Sequence, residues 1–276
     1  MEEMPEYLRL VRGGRPPSDE LIAEMRHNYE AIGGRSPLTE LTMAQADALR
    51  ARLGAGIPVA VGMRNWRPFI KDALAEFAGA GVDRAIGIPM APQFSTLSVQ
   101  KYIDAATAAL PDGMRFESVR SFHVHPKLID AFADRLRAAA PKPDELVVFT
   151  AHSLPKKAIE SGDRYADEVA ATARAVAERG GVTRYTIAYQ SAGRTPEPWI
   201  GPSIEEMLDE QTGRGVRKFL VAPIGFVCDH TEILFDIDVQ ATQAAREFST
   251  ALRRTESLNA SPLFIDVLED LVRQSL

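Results

Sequence analysis

The chain has one cysteine, Cys228, in 276 residues. This excludes an internal disulfide framework and any iron–sulfur cluster held by four cysteines of one subunit, and it suits a reducing cytoplasm. Neither a Walker A loop nor a dinucleotide-type glycine fingerprint is present, so nothing nominates a nucleotide. Long apolar runs are also missing: the longest, around Phe219 to Cys228, is far short of the roughly 20 residues that span a bilayer. The opening Met1-Glu2-Glu3-Met4-Pro5-Glu6 lacks the basic and apolar stretches of a secretory signal. Positive charge is in deficit, 32 Lys and Arg against 38 Asp and Glu, giving a net charge of −6. A nucleic-acid partner needs a basic footprint and is not expected. These absences leave a soluble, cytoplasmic globule with no transmembrane segment; its oligomeric state stays open, a monomer included.

What is there is ample apolar material, 45% of residues, enough for a sizeable core in one or two domains. Strand-like and helix-like segments alternate. Pro58 to Met63 reads as a strand before a helix from Pro68 to Gly79; Arg84 to Pro89 is a strand before a helix from Ser95 to Leu110. Phe116 to Val124 precedes a helix from Pro126 to Ala140. The same order continues through Val147, Ala166 to Glu178, Thr183 to Gln190, Ile204 to Thr212, Phe219, and Glu232 to Phe248. Such alternation implies an α/β fold with parallel sheets flanked by helices. The two halves also resemble each other. The stretches from Gly62 and from Tyr189 both run strand, Trp/Pro loop, amphipathic helix, Gly turn, apolar strand, proline-containing turn, helix. We therefore expect two similar domains, residues 1–140 and 141–261, with a site between them. A last helix over 262–276 should pack back on the body through Leu263, Ile265, Leu268 and Leu271.

Two strand ends carry the candidate chemistry. Val147-Val148-Phe149-Thr150-Ala151 is an apolar strand that stops on His152, and Phe219 to Val227 is a second that leads through Asp229 and His230 to a helix opening near Glu232. Ligands bind outside the carboxyl ends of parallel strands. An imidazole and a carboxylate meeting there can hold a divalent ion and accept protons. His152 could equally be a satisfied structural histidine. Glu232, Asp236 and Gln240 recur at i, i+4 and i+8, which on a solvated helix is simply an acidic face. In an ideal α-helix that row drifts about 40° per step, and a π-bulge would straighten it. His123 and His125, two apart on an expected strand, could form a metal pair or merely a turn into Pro126. His230 should orient its turn, and Cys228 should pack. The Gly33-Gly34-Arg35-Ser36-Pro37 loop offers amides and a hydroxyl to a carboxylate or phosphate.

Taken together, these segments resemble ferrochelatases, enzymes that insert ferrous iron into a porphyrin. The resemblance runs over nearly the whole chain: YEAIGGRSPL from Tyr29, VGMRNWRPFI from Val61, APQFSTLSVQKY from Ala91, TAHSLP from Thr150, YQSAGRTPEPWIGPS from Tyr189, PIGFVCDHTEILFDID from Pro223 and ESLNASPLFI from Glu256. It is closest to short bacterial members acting on protoporphyrin IX or coproporphyrin III, and implies two Rossmann-like domains with a porphyrin cleft between them. By the same resemblance His152 and Glu232 are the catalytic and metal-binding pair, and Asp236 is the next acidic rung. Arg12, Tyr29, Ser36 and Tyr102 are the porphyrin contacts, donors that suit propionates. Fe2+ and porphyrin are then substrates, and no organic cofactor or iron–sulfur cluster is needed.

Three departures bear on that expectation. The family opens with an apolar strand that places an aromatic side chain near the metal, whereas this chain starts in the helix leading to Arg12. Absence of that strand should expose apolar surface and unpaired backbone in the first sheet. The third acidic rung is Gln240, and Asn65 stands where some relatives have histidine. Desolvation should raise the pKa of Glu232 and lower that of His152. Two other readings stay open: a porphyrin-binding protein or inactive remnant, and a cobalt chelatase of a precorrin-type ring.

Overall fold

The alternation of apolar strands and amphipathic helices folds into two parallel sheets. The computed structural model describes residues 2–193 and 195–276. In chain order, α1 (Met4–Val11), α2 (Asp19–Ala31), α3 (Leu38–Leu53) and α4 (Ile70–Gly79) come before β1 (Arg84–Gly87), α5 (Val99–Ala108), β2 (Arg115–Ser118) and α6 (Pro126–Ala138). The second half runs β3 (Glu145–His152), α7 (Lys156–Glu160), α8 (Tyr165–Gly180), β4 (Tyr185–Gln190), α9 (Ile204–Gly213) and β5 (Lys218–Ala222). It ends with α10 (Thr231–Leu234), a π-helical turn (Asp236–Ala241), α11 (Thr242–Glu247), β6 (Ala251–Arg254) and α12 (Pro262–Ser275). The α/β architecture expected from the sequence is the one observed.

The larger sheet has the order β4-β3-β5-β6, all parallel. β3 lies inside it, and its side chains alternate between two cores. Val147, Phe149 and Ala151 join the core that holds residues of α6, α8 and α12, while Leu146 and Val148 join residues of α9 and the π turn. A strand covered on both faces needs an unbroken apolar run, which is why Leu146 to Phe149 contains no polar residue. Each such side chain stabilises the fold by roughly 1.5–3 kcal/mol through burial. At the amino end of β3 the buried Glu145 accepts two hydrogen bonds from the Arg253 guanidinium of β6, at 2.7 and 2.6 Å. Arg253 also donates to the Ala139 carbonyl at 2.7 Å, tying the end of α6 to the sheet.

The internal likeness read from the sequence recurs in the backbone. The Met63 amide donates to the Pro68 carbonyl at 2.7 Å, and Met63 bridges Phe69 just before α4. The Tyr189 amide donates to the Pro202 carbonyl at 2.8 Å, and Tyr189 bridges Ser203 just before α9. Residues 58–63 therefore correspond to β4, β1 to β5, and β2 to β6. The counterpart of β3 is where the halves differ. Between residues 58–62 and β1 lies an apolar groove of about 230 Å³, lined among others by Ala46, Leu49, Val59, Val61, Ile86 and Val272. β1 pairs with β2 along one edge only among the described residues. Pro58 to Met63, expected as a strand, consequently runs without a ladder: its sequence suits a strand, but among the described residues no strand lies beside it.

Candidate active site

His152 is the last residue of β3, in register with Gln190 at the end of β4. The turn after it is pinned. The Ser153 amide donates to the Gln190 carbonyl at 2.7 Å, and the Ser153 hydroxyl donates to the Ile200 carbonyl at 2.6 Å. His152 Nδ1 faces the Ser153 carbonyl, which can only accept, so Nδ1 carries the hydrogen. Nε2 is thereby the ring nitrogen left for the site.

The second strand end is brought alongside by a glycine. The Gly225 amide donates to the Thr150 carbonyl at 3.1 Å, and a Cβ on Gly225 would meet Ala151 Cα and Cβ at 2.7 Å. No other residue allows that approach of the Pro223-to-Val227 turn to β3. Downstream, Asp229 is clamped: it accepts from the Ser257 hydroxyl at 2.7 Å and the Asn259 amide group at 3.0 Å, and pairs with Arg254 at 3.2 Å. The last of the recognised motifs, around Ser257 and Asn259, therefore holds the turn that delivers Glu232. The Gln190 side chain adds a hydrogen bond to the Glu232 carbonyl at 2.6 Å.

Glu232 Oε2 lies 3.7 Å from His152 Nε2 and 3.8 Å from His230 Nε2. His152 and Glu232 remain about one-third open to solvent (34% and 38%), so the pair is reachable. His230 behaves as an orienting residue: Nδ1 bonds the Cys228 carbonyl at 3.1 Å and its ring packs on Phe226 at 4.8 Å between centroids. Desolvation pushes Glu232 up, but the neighbouring imidazoles of His152 and His230 outweigh it and hold its carboxyl at about 2. The expectation of a raised Glu232 is thus corrected, because two histidines face one carboxylate. Burial would lower His230, yet Glu232 and the Cys228 carbonyl outweigh it and raise it above its ordinary value.

Beyond Glu232 the helix loosens. The Gln240 amide bonds the Phe235 carbonyl five residues back, at 2.9 Å, within the π turn. The sequence required such a widening if Glu232, Asp236 and Gln240 were to stay in line. Ser191, whose backbone is left-handed at φ 61°, donates its hydroxyl to Asp236. Desolvation, with the Glu232 charge behind it, raises Asp236 to about 6 despite that hydrogen bond. Gln240 Nε2 donates to Glu205 of α9 at 3.2 Å, so the row ends at another carboxylate.

The amino-terminal helices form the facing wall. His27 of α2 packs edge-on against Phe235 at 6.3 Å, and Tyr7 of α1 packs edge-on against Trp66 at 5.8 Å. Burial, followed by the charges of Tyr29, Glu232 and Tyr102, raises the Tyr7 phenol, while the Arg64 guanidinium lowers it. Tyr29 and Tyr102, both proposed from the sequence, thus share one neighbourhood with Glu232. Arg12 ends α1 with an exposed side chain, and the Ser36 hydroxyl accepts from the Leu38 amide at 3.4 Å. No contact among the described residues draws Arg12 or Ser36 into that group. Tyr7, Arg64 and Trp66 were missed as site residues, although Arg64 and Trp66 lie inside the VGMRNWRPFI motif.

Two other candidates dissolve. The amides of Gly33 and Gly34 bond the Glu30 and Tyr29 carbonyls at 3.1 and 2.7 Å, so they close α2 instead of cradling an anion. His123 bonds Ser121 and Glu168, at 2.7 and 3.2 Å, whereas His125 bonds Asp270 at 3.0 Å. The two histidines serve different partners and form no metal pair. Among the described residues no group of three or more His, Cys, Asp or Glu is arranged to hold a metal ion. A His–Glu pair leaves most coordination positions to another donor, as transfer of an ion to a nitrogen macrocycle demands.

The ferrochelatase family model matches residues 9–276. The chain belongs to the ferrochelatase family. The ferrochelatase of Deinococcus radiodurans is 42% identical over 286 residues, covering 99% of this chain and 90% of that protein. The coproporphyrin III ferrochelatase of Bacillus subtilis is 36% identical over 291 residues, covering 100% and 93%. Among solved structures, SirB from Bacillus subtilis with Fe3+ superimposes with a TM-score of 0.63 at 13% identity, over 86% of this chain and 88% of that one. CbiX, the terminal enzyme for siroheme biosynthesis in denitrifying bacteria, does so with 0.59 at 14% identity, over 87% and 94%. Those two establish the chelatase-like, Rossmann-type α/β fold; the ferrochelatase assignment rests on the sequence relatives. No helix among the described residues is long and apolar enough to cross a membrane.

Proposed function

We propose that this ferrochelatase inserts Fe2+ into a free-base porphyrin, protoporphyrin IX or coproporphyrin III, as a step of heme biosynthesis, releasing two protons. The observation that carries the reading is the meeting of His152 Nε2 and Glu232 Oε2 at 3.7 Å, beyond the carboxyl ends of two neighbouring strands. Iron is a substrate in this scheme, and no organic cofactor is required.

His152 is the proton acceptor. Its Nδ1 is committed to the Ser153 carbonyl, so Nε2 is free to take a pyrrole proton or an iron ion. Glu232, ionised from low pH upward, faces the imidazolium that forms and stabilises it, and its carboxylate is equally a ligand for Fe2+. Asp236, titrating near 6, is the next acceptor along the π-helical face. Tyr29 and Tyr102 border the ring, and Arg12 and Ser36 are proposed as contacts at its edge. Because only interactions stronger in the transition state speed the reaction, the His–Glu pair should matter to turnover far more than to porphyrin affinity. His152→Ala is expected to cut iron insertion by at least about a hundredfold, within the range of lost acid–base catalysis. Porphyrin binding, read by fluorescence quenching, should stay within about threefold, a difference well under 1 kcal/mol. Wild-type turnover in that variant would sink the assignment. A cytoplasmic setting belongs to the same proposal, and cell fractionation tests it.

A further inference from the structure

The carboxyl end of β4 grips both reacting turns. Gln190 lies opposite His152 in the parallel register. Its carbonyl accepts from the Ser153 amide at 2.7 Å, and its side-chain amide donates to the Glu232 carbonyl at 2.6 Å. One residue thus holds the chain just after the imidazole and again at the carboxylate. Gly225 fixes where the turn from the second strand begins, by its bond to Thr150 of β3. Gln190 fixes where that turn arrives.

A buried glutamine ordinarily does no more than satisfy a stray carbonyl. This one is 5% exposed, and its Oε1 meets no partner among the described residues. An unpaired buried acceptor costs stability that an apolar side chain would not. Ser191 shows a cost of a different kind. Ala188 shares a core with Ile233 and Ile237, so Gln190, two residues on, faces the same helical segment. Regular alternation would turn the next side chain away from it. Ser191 instead adopts φ 61°, left-handed for a residue other than glycine, and its hydroxyl donates to Asp236. Such backbone persists where the surrounding structure demands it, and it clusters at functional sites. Two adjacent residues therefore each accept a local penalty, and each contacts one rung of the acidic row.

We infer that Gln190 and Ser191 are positioning residues for metal insertion, acting through Glu232 and Asp236 to keep that row aligned with His152. This rests on the porphyrin reading above. The test is Zn2+ insertion into coproporphyrin III followed by porphyrin fluorescence, with thermal melts of each variant. Gln190→Met keeps the length and removes the donor. Its kcat should fall about tenfold while the porphyrin KM moves by less than about twofold. In a Glu232→Gln background the same substitution should cost less than about twofold, because residues acting as a unit are not additive. Ser191→Gly suits the left-handed backbone, so it should melt no lower than wild type. It should nevertheless turn over about fivefold more slowly, the worth of one hydrogen bond. Thr150→Val removes another buried, unpartnered hydroxyl from the same sheet face and should leave kcat within about twofold. An unchanged kcat in Gln190→Met or Ser191→Gly would overturn the assignment. So would an equal loss for Gln190→Met in both backgrounds, or an equal loss in Thr150→Val. Full turnover of Glu232→Gln would instead overturn the reaction scheme itself.

Discussion

Asp236 sits one turn beyond Glu232 on the same helical face, yet the two carboxylates are driven in opposite directions. The imidazoles of His152 and His230 win at Glu232, whereas at Asp236 desolvation, with the Glu232 charge added, outweighs the Ser191 hydroxyl and the same two imidazoles. The Asp236 proton is consequently held in the folded state up to about 6, against an ordinary 3.8. A raised carboxyl makes the native state the better proton binder, so stability is greatest below about 4 and falls as pH rises through 6. Asp236→Asn should thus raise stability at pH 7.5 by about 1–2 kcal/mol after allowance for solvent screening, and by little at pH 4. Thermal melts at the two pH values check this; an equal gain at both would point to packing rather than charge. At this scale His152 and Glu232 were readable because each follows an apolar strand at its carboxyl end. Tyr7 was not, since a tyrosine in an amphipathic helix looks like core until the fold sets it against Glu232. The depressed pKa of Glu232 was equally hidden, because it depends on His152 and His230 both facing one carboxylate.

Among elements, the larger sheet is fastened at its amino end by Glu145 and Arg253, which join β3 to β6. Glu145 is only 5% exposed, and its carboxyl is held below the usual range chiefly by the Arg253 hydrogen bonds. Arg253→Met should cost about 2–3 kcal/mol at pH 7, less than the 3–5 typical of breaking a fully buried pair because Arg253 is 39% exposed. Since the Glu145 pKa is lowered, its contribution is present above about 4.5 and disappears as pH falls. Denaturant melts of the variant and wild type should accordingly converge toward pH 3. The sequence could not reveal β6, because Arg253 and Arg254 interrupt the apolar pattern by which strands are recognised. Pro58 to Met63 shows the converse. Alternation and β-branched residues mark a strand, but a ladder is a property of two segments and cannot be read from one. The π turn was inferable only from the i, i+4, i+8 spacing of its polar residues.

Taking the molecule whole, the two halves share a plan but not a degree of closure. Among the described residues the second sheet has four strands, and the first has two beside an apolar groove. Backbone without a ladder opens at low free energy. Amides of Val59, Ala60, Val61 and Gly62 should therefore exchange with solvent at least about a hundredfold faster than those of Val147 to Ala151. Hydrogen exchange by mass spectrometry resolves the two segments; equal protection would show that the groove is not an open edge. The likeness of the halves was legible in the sequence. Their inequality was expected only through the resemblance, which implied exposed apolar surface and unpaired backbone in the first sheet; the residue pattern alone does not tell which neighbour each strand finds.

The His152 imidazole and the Glu232 carboxylate both follow strands of the larger sheet, whose ends are locked together through Gly225 and the hydrogen bonds of β3 with β5. Tyr7, Tyr29, Arg64 and Tyr102 ride on the opposite half. The spacing of the His152 nitrogen and the Glu232 oxygen is therefore set within the second half alone, by the β3–β5 ladder and the close approach at Gly225.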